Sequence, residues 1–168
     1  MLRSIGVLAT DHIAVGLVEE HHVAGLVLVY PERGDDQGAL QGMPAEDIGK
    51  CIREQIERVG KGHEIQVVGV GFPGITRNGI IEESPNLQQV KGLNLQAILS
   101  SASLKNGVSV PVRIFNDADV MAADIAATWL GAIHPTLQSG SPSNPIFDQQ
   151  DFIPGFIVND FVHHLPGH

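Results

Sequence analysis

Asn116 and Asp117 stand between a β-branched run (Val110, Val112, Ile114, Phe115) and an alanine-rich segment with helical spacing. A strand that feeds a helix through Asn-Asp puts the Asp117 carboxylate in the first helical turn or at the cap. There the helix amides and dipole favour negative charge. Two readings follow: a plain N-cap, for which Asn and Asp are among the preferred residues, or a general base at the end of a buried strand, where open α/β sheets place ligand sites. Upstream, Gly69, Gly71 and Gly74 match the G-x-G-x-x-G dinucleotide fingerprint in form. That fingerprint needs a helix N-terminus directly after the glycines to hold a pyrophosphate. Here Pro73 sits inside it and residues 75–81 read as a hairpin about Asn78-Gly79, so the match is rejected. What remains is a turn in which glycine supplies backbone freedom. Ser84 and Asn86 follow in a polar turn, where both residue types are common for local reasons.

The elements that position these residues are legible in the hydrophobic pattern. Residues 5–9, 12–18 and 23–30 read as strands, with Thr10-Asp11 as a tight turn and Glu19-Glu20-His21-His22 as the second break. Connections this short imply three antiparallel neighbours in one sheet. Residues 31–42 form a polar loop. A helix is predicted over 44–59, where Ile48, Ile52, Ile56 and Val59 draw one apolar stripe, Glu46-Asp47 favour the dipole, and Gly60 is a natural stop. The apolar run 65–71 predicts a central strand buried on both faces. Asn94 is expected to cap a helix to about residue 104, with Leu95, Ile98, Leu99 and Ala102 inward. Three meandering strands followed by helix–strand–helix–strand–helix predict an α/β mixed sheet with flanking helices.

Composition narrows the function classes. The 168 residues are 43% hydrophobic and 17% charged, which describes a globular chain with room for a core. A net charge of −9, with no basic stripe, argues against nucleic acid as the main partner. No apolar run approaches the roughly 18 residues of a membrane span. The first ten residues lack a signal-peptide pattern, and the single Cys51 fits a reducing compartment, so a cytoplasmic location is expected. Cys51 reads as a small buried hydrophobe rather than a nucleophile. His163, His164 and His168 cluster near the end, where a solvated tail is a better reading than a metal site, and no metal ligands are assigned. Residues 134–150 are rich in Pro, Ser, Gly and Asn without periodicity.

Gly69-Val-Gly-Phe-Pro-Gly74, Ser84-Pro-Asn-Leu87 and Asn116-Asp117-Ala118, in that order and spacing, resemble the sugar-binding lobe of the ROK family (repressors, open reading frames and sugar kinases). The resemblance implies the actin-like ATPase, ribonuclease-H-like fold, present here as one lobe plus a fragment of the second. It implies a sugar-binding lobe over 1–131, a linker over 132–151, and the partial strand and tail of a shortened second lobe over 152–168. It further implies that Gly74, Ser84, Asn86 and Asn116 line a pocket for a hexose or hexosamine, and that Asp117 takes the proton of the attacking hydroxyl. A kinase of this type uses ATP and Mg.

The chain also departs from the family pattern. The family's D-x-G-G-T phosphate turn aligns with Val7-Leu8-Ala9-Thr10-Asp11, without its glycines or its leading Asp, leaving Thr10 and Asp11 as the weak cofactor-binding candidates. Asp119 stands where the family more often has a second Asn, and the family's zinc segment is missing. Three functions therefore stay open: an ATP-dependent sugar kinase, a sugar-sensing relative without turnover, and a structural or interaction remnant. The partners expected are a small-molecule sugar and, for a lobe whose apolar surface lacks its covering half, a second copy in a homodimer. Neither nucleic acid nor membrane is expected.

Overall fold

Apolar runs joined by breaks of two or three residues are expected to pair with their neighbours, and they do. The computed structural model describes residues 3–19, 22–32, 38–102, 104 and 110–120. β1 (Arg3–Ala9), β2 (Ile13–Glu19) and β3 (His22–Tyr30) form an antiparallel meander, with Arg3 opposite Glu19 and joined to it by an ion pair. β2 begins at Ile13 rather than His12, because Thr10 N–H donates to His12 O (2.9 Å) and holds residues 10–12 in the turn.

The helix α1 (Ala45–Gly60) buries the predicted stripe: Ile48, Ile52 and Ile56 are fully enclosed, and Glu46 and Asp47 sit in its first turn. Gly60 ends α1 for a packing reason, not a conformational one. A Cβ there would lie 2.5 Å from Leu104 Cδ2, and the left-handed residue of the reversal is Gly62, with φ of 85°.

β4 (Val67–Phe72) then runs parallel to β1 and is buried from Val68 onward, as expected of a central strand. The hairpin of β5 (Ile75–Arg77) and β6 (Ile80–Glu83) turns at Asn78-Gly79, both at positive φ, the backbone a tight two-residue turn requires. After a 3₁₀ turn (Gln88–Val90) comes α2 (Leu95–Ser100), whose first turn is capped by Asn94 Oδ1 accepting from Ala97 N–H at 2.9 Å. α2 is shorter than its apolar spacing predicts. Ser101 Oγ donates to Ile98 O at 2.6 Å, a side-chain bond that competes with the next helical turn. β7 (Val112–Asn116) pairs parallel with β4.

The result is a mixed five-stranded sheet in the order β3-β2-β1-β4-β7. The main core lies between the sheet and the elements on one face, where Val7, Val15, Phe72, Ile52, Leu87 and Leu99 belong to one cluster. On the opposite face Leu8, Ala14 and Val120 form a second, smaller cluster. No helix among the described residues is long and apolar enough to cross a membrane. The predicted lobe boundary at 131, the linker 132–151, the partial strand and tail over 152–168 and the C-terminal histidines lie outside the described residues.

Candidate functional site

β1, β4 and β7 run in one direction, so the residues that follow Ala9, Phe72 and Asn116 gather along one edge of the sheet. Direct pairing sets Phe72 opposite Asn116. The C-terminal edge of parallel strands is where α/β sheets place ligands, because loops there are free to vary while the strands hold them.

Three sequence motifs meet at this edge. Asn116 Nδ2 donates to Gly74 O at 2.6 Å, tying the end of β7 to the loop after β4 across 42 positions of sequence. Gly74 has φ of 118°, and a Cβ there would lie 2.0 Å from Glu83 O and 2.8 Å from Ser84 Cα. Only glycine lets the loop pass this close to the segment after β6. Ser84 is 3% exposed, and its Oγ is buried without a hydrogen-bond partner among the described residues. A buried hydroxyl left unpaired costs free energy, so it calls for a reason. Asn86, two residues on, is exposed.

Asn116 and Asp117 divide the work of the turn between them. Asn116 Oδ1 accepts from Ala118 N–H (2.9 Å) and Asp119 N–H (3.3 Å), so Asn116 is the residue that caps the helical segment 117–120. Asp117 falls one position inside it, half-buried, with Oδ1 accepting from Ala118 N–H at 2.9 Å. Its Cα comes within 3.8 Å of where a Gly71 side chain would begin, so the small residue in β4 admits the turn closely. Local spacing alone left the cap on Asp117; in the structure the capping bonds to Ala118 and Asp119 fall to Asn116.

The first turn of the sheet is built differently. Thr10 is half-buried and Asp11 exposed. None of residues 9–12 adopts positive φ, and the Thr10 amide is already bonded to His12 O. An anion nest needs consecutive amides splayed by alternating right- and left-handed residues. This turn does not fit a nucleotide phosphate. His12, beside it, has a buried Nε2 without a partner among the described residues.

Elsewhere, burial pushes the Cys51 thiol up to about 11, with the Glu54 carboxylate adding to the rise and a hydrogen bond to Gln55 opposing it. A thiol that stays protonated at neutral pH is no nucleophile. A shallow cleft between α1 and α2, bordered by Lys50, Arg53 and Ile98, contains none of the predicted site residues. Among the described residues no three His, Cys, Asp or Glu side chains gather to hold a metal ion.

This sheet, with its flanking helices on one face, is one lobe of the actin-like ATPase fold. Solved structures of ROK proteins superpose on it. The ROK hexokinase from Thermus thermophilus matches with a TM-score of 0.57 at 23% identity, over 73% of this chain and 38% of its own. A ROK family glucokinase from Streptomyces griseus, solved with glucose and AMPPNP, gives 0.54 at 23% identity over 73% and 35%. A ROK family transcriptional regulator, a homologue of the E. coli MLC protein, gives 0.55 at 16% identity over 75% and 30%. The chain spans little more than a third of the hexokinase and glucokinase chains. No protein-family model matches the sequence, and no curated protein matches it either. At these identities the likeness establishes the fold.

Proposed function

We propose that this chain is a ROK-type, sugar kinase-like lobe that binds a hexose or an N-acetylated hexosamine at the edge formed by β4 and β7. One observation carries the reading. The three motifs that resemble the family's sugar-binding segments, far apart in sequence, converge on one spot, where Asn116 holds Gly74 and Gly74 packs on Ser84. The buried, unpartnered Ser84 Oγ is the group a sugar hydroxyl would satisfy. Asn86, exposed two residues along, offers an amide at the rim. Asn116 retains one N–H for a ligand after donating the other to Gly74. One Asp117 oxygen is tied to the helix amide, and the other would receive the proton of a sugar hydroxyl.

ATP and Mg complete the reaction in a sugar kinase. The β1–β2 turn does not offer the amides a phosphate needs, and no step through a nucleotide is assigned to the described residues. That same turn favours the second reading, a lobe that senses sugar without turnover, since phosphoryl transfer depends on electrostatic stabilisation around the phosphates. The domain division at residue 131 and a homodimer are parts of the same proposal.

The test is calorimetric titration of the full chain and its Asp117→Ala variant with a panel of hexoses and N-acetylhexosamines, followed by ATP. Uptake of one sugar, weakened by the substitution, supports the site. Heat with sugar but none with ATP favours the sensor over the kinase. Silence across the panel rejects both.

A further inference from the structure

Gln89 lies in the 3₁₀ turn that follows Ser84 and Asn86, and its side chain reaches away from that segment. Its Nε2 donates toward three backbone carbonyls: Leu40 O at 2.8 Å, Gln41 O at 3.2 Å and Met43 O at 3.1 Å. A carboxamide nitrogen carries two hydrogens, so three acceptors share two donors around one atom. The contact joins residues 46 to 49 positions apart.

The two segments it joins both belong to the ligand edge of the sheet. β3 runs parallel to β1, since each is antiparallel to β2, so the loop leaving Tyr30 toward α1 departs from the same end as Gly74 and Asn116. The segment 87–93 is tied to β6 at its far end, by Gly92 N–H to Ile81 O (2.7 Å) and Ile81 N–H to Leu93 O (3.0 Å), and both segments otherwise close on local turns. Residues 38–43 hold themselves by Gln41 N–H to Gly38 O and Met43 N–H to Leu40 O. Residues 87–93 do so by Val90 N–H to Leu87 O and Leu93 N–H to Val90 O. Beneath the contact, Leu40, Leu87 and Val90 are buried in the same cluster.

We infer that Gln89 is a positioning residue: its amide locks the loop 38–43 to the segment 84–90 and thereby fixes Ser84 and Asn86 at the site. The inference about Ser84 and Asn86 rests on the sugar-site reading; the lock itself does not. Apolar packing through Leu40, Leu87 and Val90 would keep the two segments close whatever the chemistry at position 89. The convergence of three acceptors makes the chemistry matter. A near-isosteric carboxylate would set an anion among carbonyl oxygens, whereas an ammonium would supply donors to them.

The experiment is amide hydrogen exchange by NMR on the full chain, with Gln89→Glu, Gln89→Ala and Gln89→Lys beside the wild type, together with titration by the hexose that the wild type binds. Gln89→Glu is expected to lower protection at Gln41 and Met43 and at Val90 and Leu93 together, about tenfold, from the neutral hydrogen bonds lost and the repulsion of an anion among carbonyl oxygens. Gln89→Ala should lower it less, about fivefold, and Gln89→Lys should restore most of it. Sugar affinity should fall in the same order. Gln89→Glu behaving as wild type, or protection lost only in 38–43, overturns the lock. Loss of protection in both segments with unchanged sugar affinity overturns the positioning role. A wild type that binds no sugar removes the sugar-site reading, and the exchange pattern alone then confirms or overturns the lock.

Discussion

Two turns at the same edge of one sheet have been built to opposite specifications. At the ends of β4 and β7, one long-range side-chain bond and a glycine that admits no Cβ bring Gly74 against both Asn116 and Ser84. Between β1 and β2, Thr10, Asp11 and His12 close a hairpin on their own backbone, with ordinary φ values and an amide already spent. The first turn is costly to build and has no evident structural need for a buried unpaired hydroxyl. The second reverses the chain with local backbone bonds and ordinary φ values, although His12 Nε2 beside it is buried without a partner among the described residues. On the function proposed above, the contrast would separate the edge that takes the sugar from a turn that offers no amide nest.

The contrast can be broken from either side. The largest effect is expected for Gly74→Ala, where the new methyl would meet Glu83 O at 2.0 Å and φ of 118° is strained for any side chain. A loss of about 3 kcal/mol or more in urea unfolding is expected. Asn116→Ala removes both the helix cap and the bond to Gly74, and should cost about 2 kcal/mol by the same measurement. Ser84→Ala sharpens the comparison in another way. Deleting an unpartnered buried hydroxyl should leave stability within about 0.5 kcal/mol or raise it, while sugar affinity falls roughly tenfold in calorimetry. On the opposite turn, Asp11→Ala is expected to change stability by less than about 0.5 kcal/mol and sugar affinity not at all, because the side chain is exposed and bears no part of the site. Away from both turns, the reactivity of Cys51 gives a check on the core. With its thiol held protonated up to about pH 11, alkylation of the native chain at pH 8 should lag far behind that of the urea-unfolded chain.

Much of this architecture was legible because it is local. The meander of β1 to β3 follows from apolar runs and short breaks, α1 from one stripe of isoleucines, and the β5–β6 hairpin from Asn78-Gly79. The Asn-Asp junction at the end of β7 is local too, and its helix start lies where the sequence places it. What the pattern could not reveal is set by atoms distant in sequence. The division of cap and carboxylate between Asn116 and Asp117 depends on a bond to Gly74. The premature end of α2 depends on which carbonyl the Ser101 hydroxyl chooses. The packing duty of Gly60 depends on Leu104 and Ile5 lying against it. Gln89 carried no signal at all, since a glutamine in a polar turn is unremarked until three carbonyls are found around it. Residue type announces what a side chain is able to bond; only the fold decides what it meets.

On the function proposed above, this chain meets a sugar at the β4–β7 edge and not at the β1–β2 turn. The most direct measurement is hydrogen exchange by mass spectrometry, with and without saturating hexose, read over peptides spanning the whole edge. Slowed exchange is expected over residues 72–75, 84–87 and 116–118, with residues 9–12 unchanged. Protection confined to residues 9–12, or none anywhere at a sugar concentration that calorimetry shows to be saturating, would contradict it.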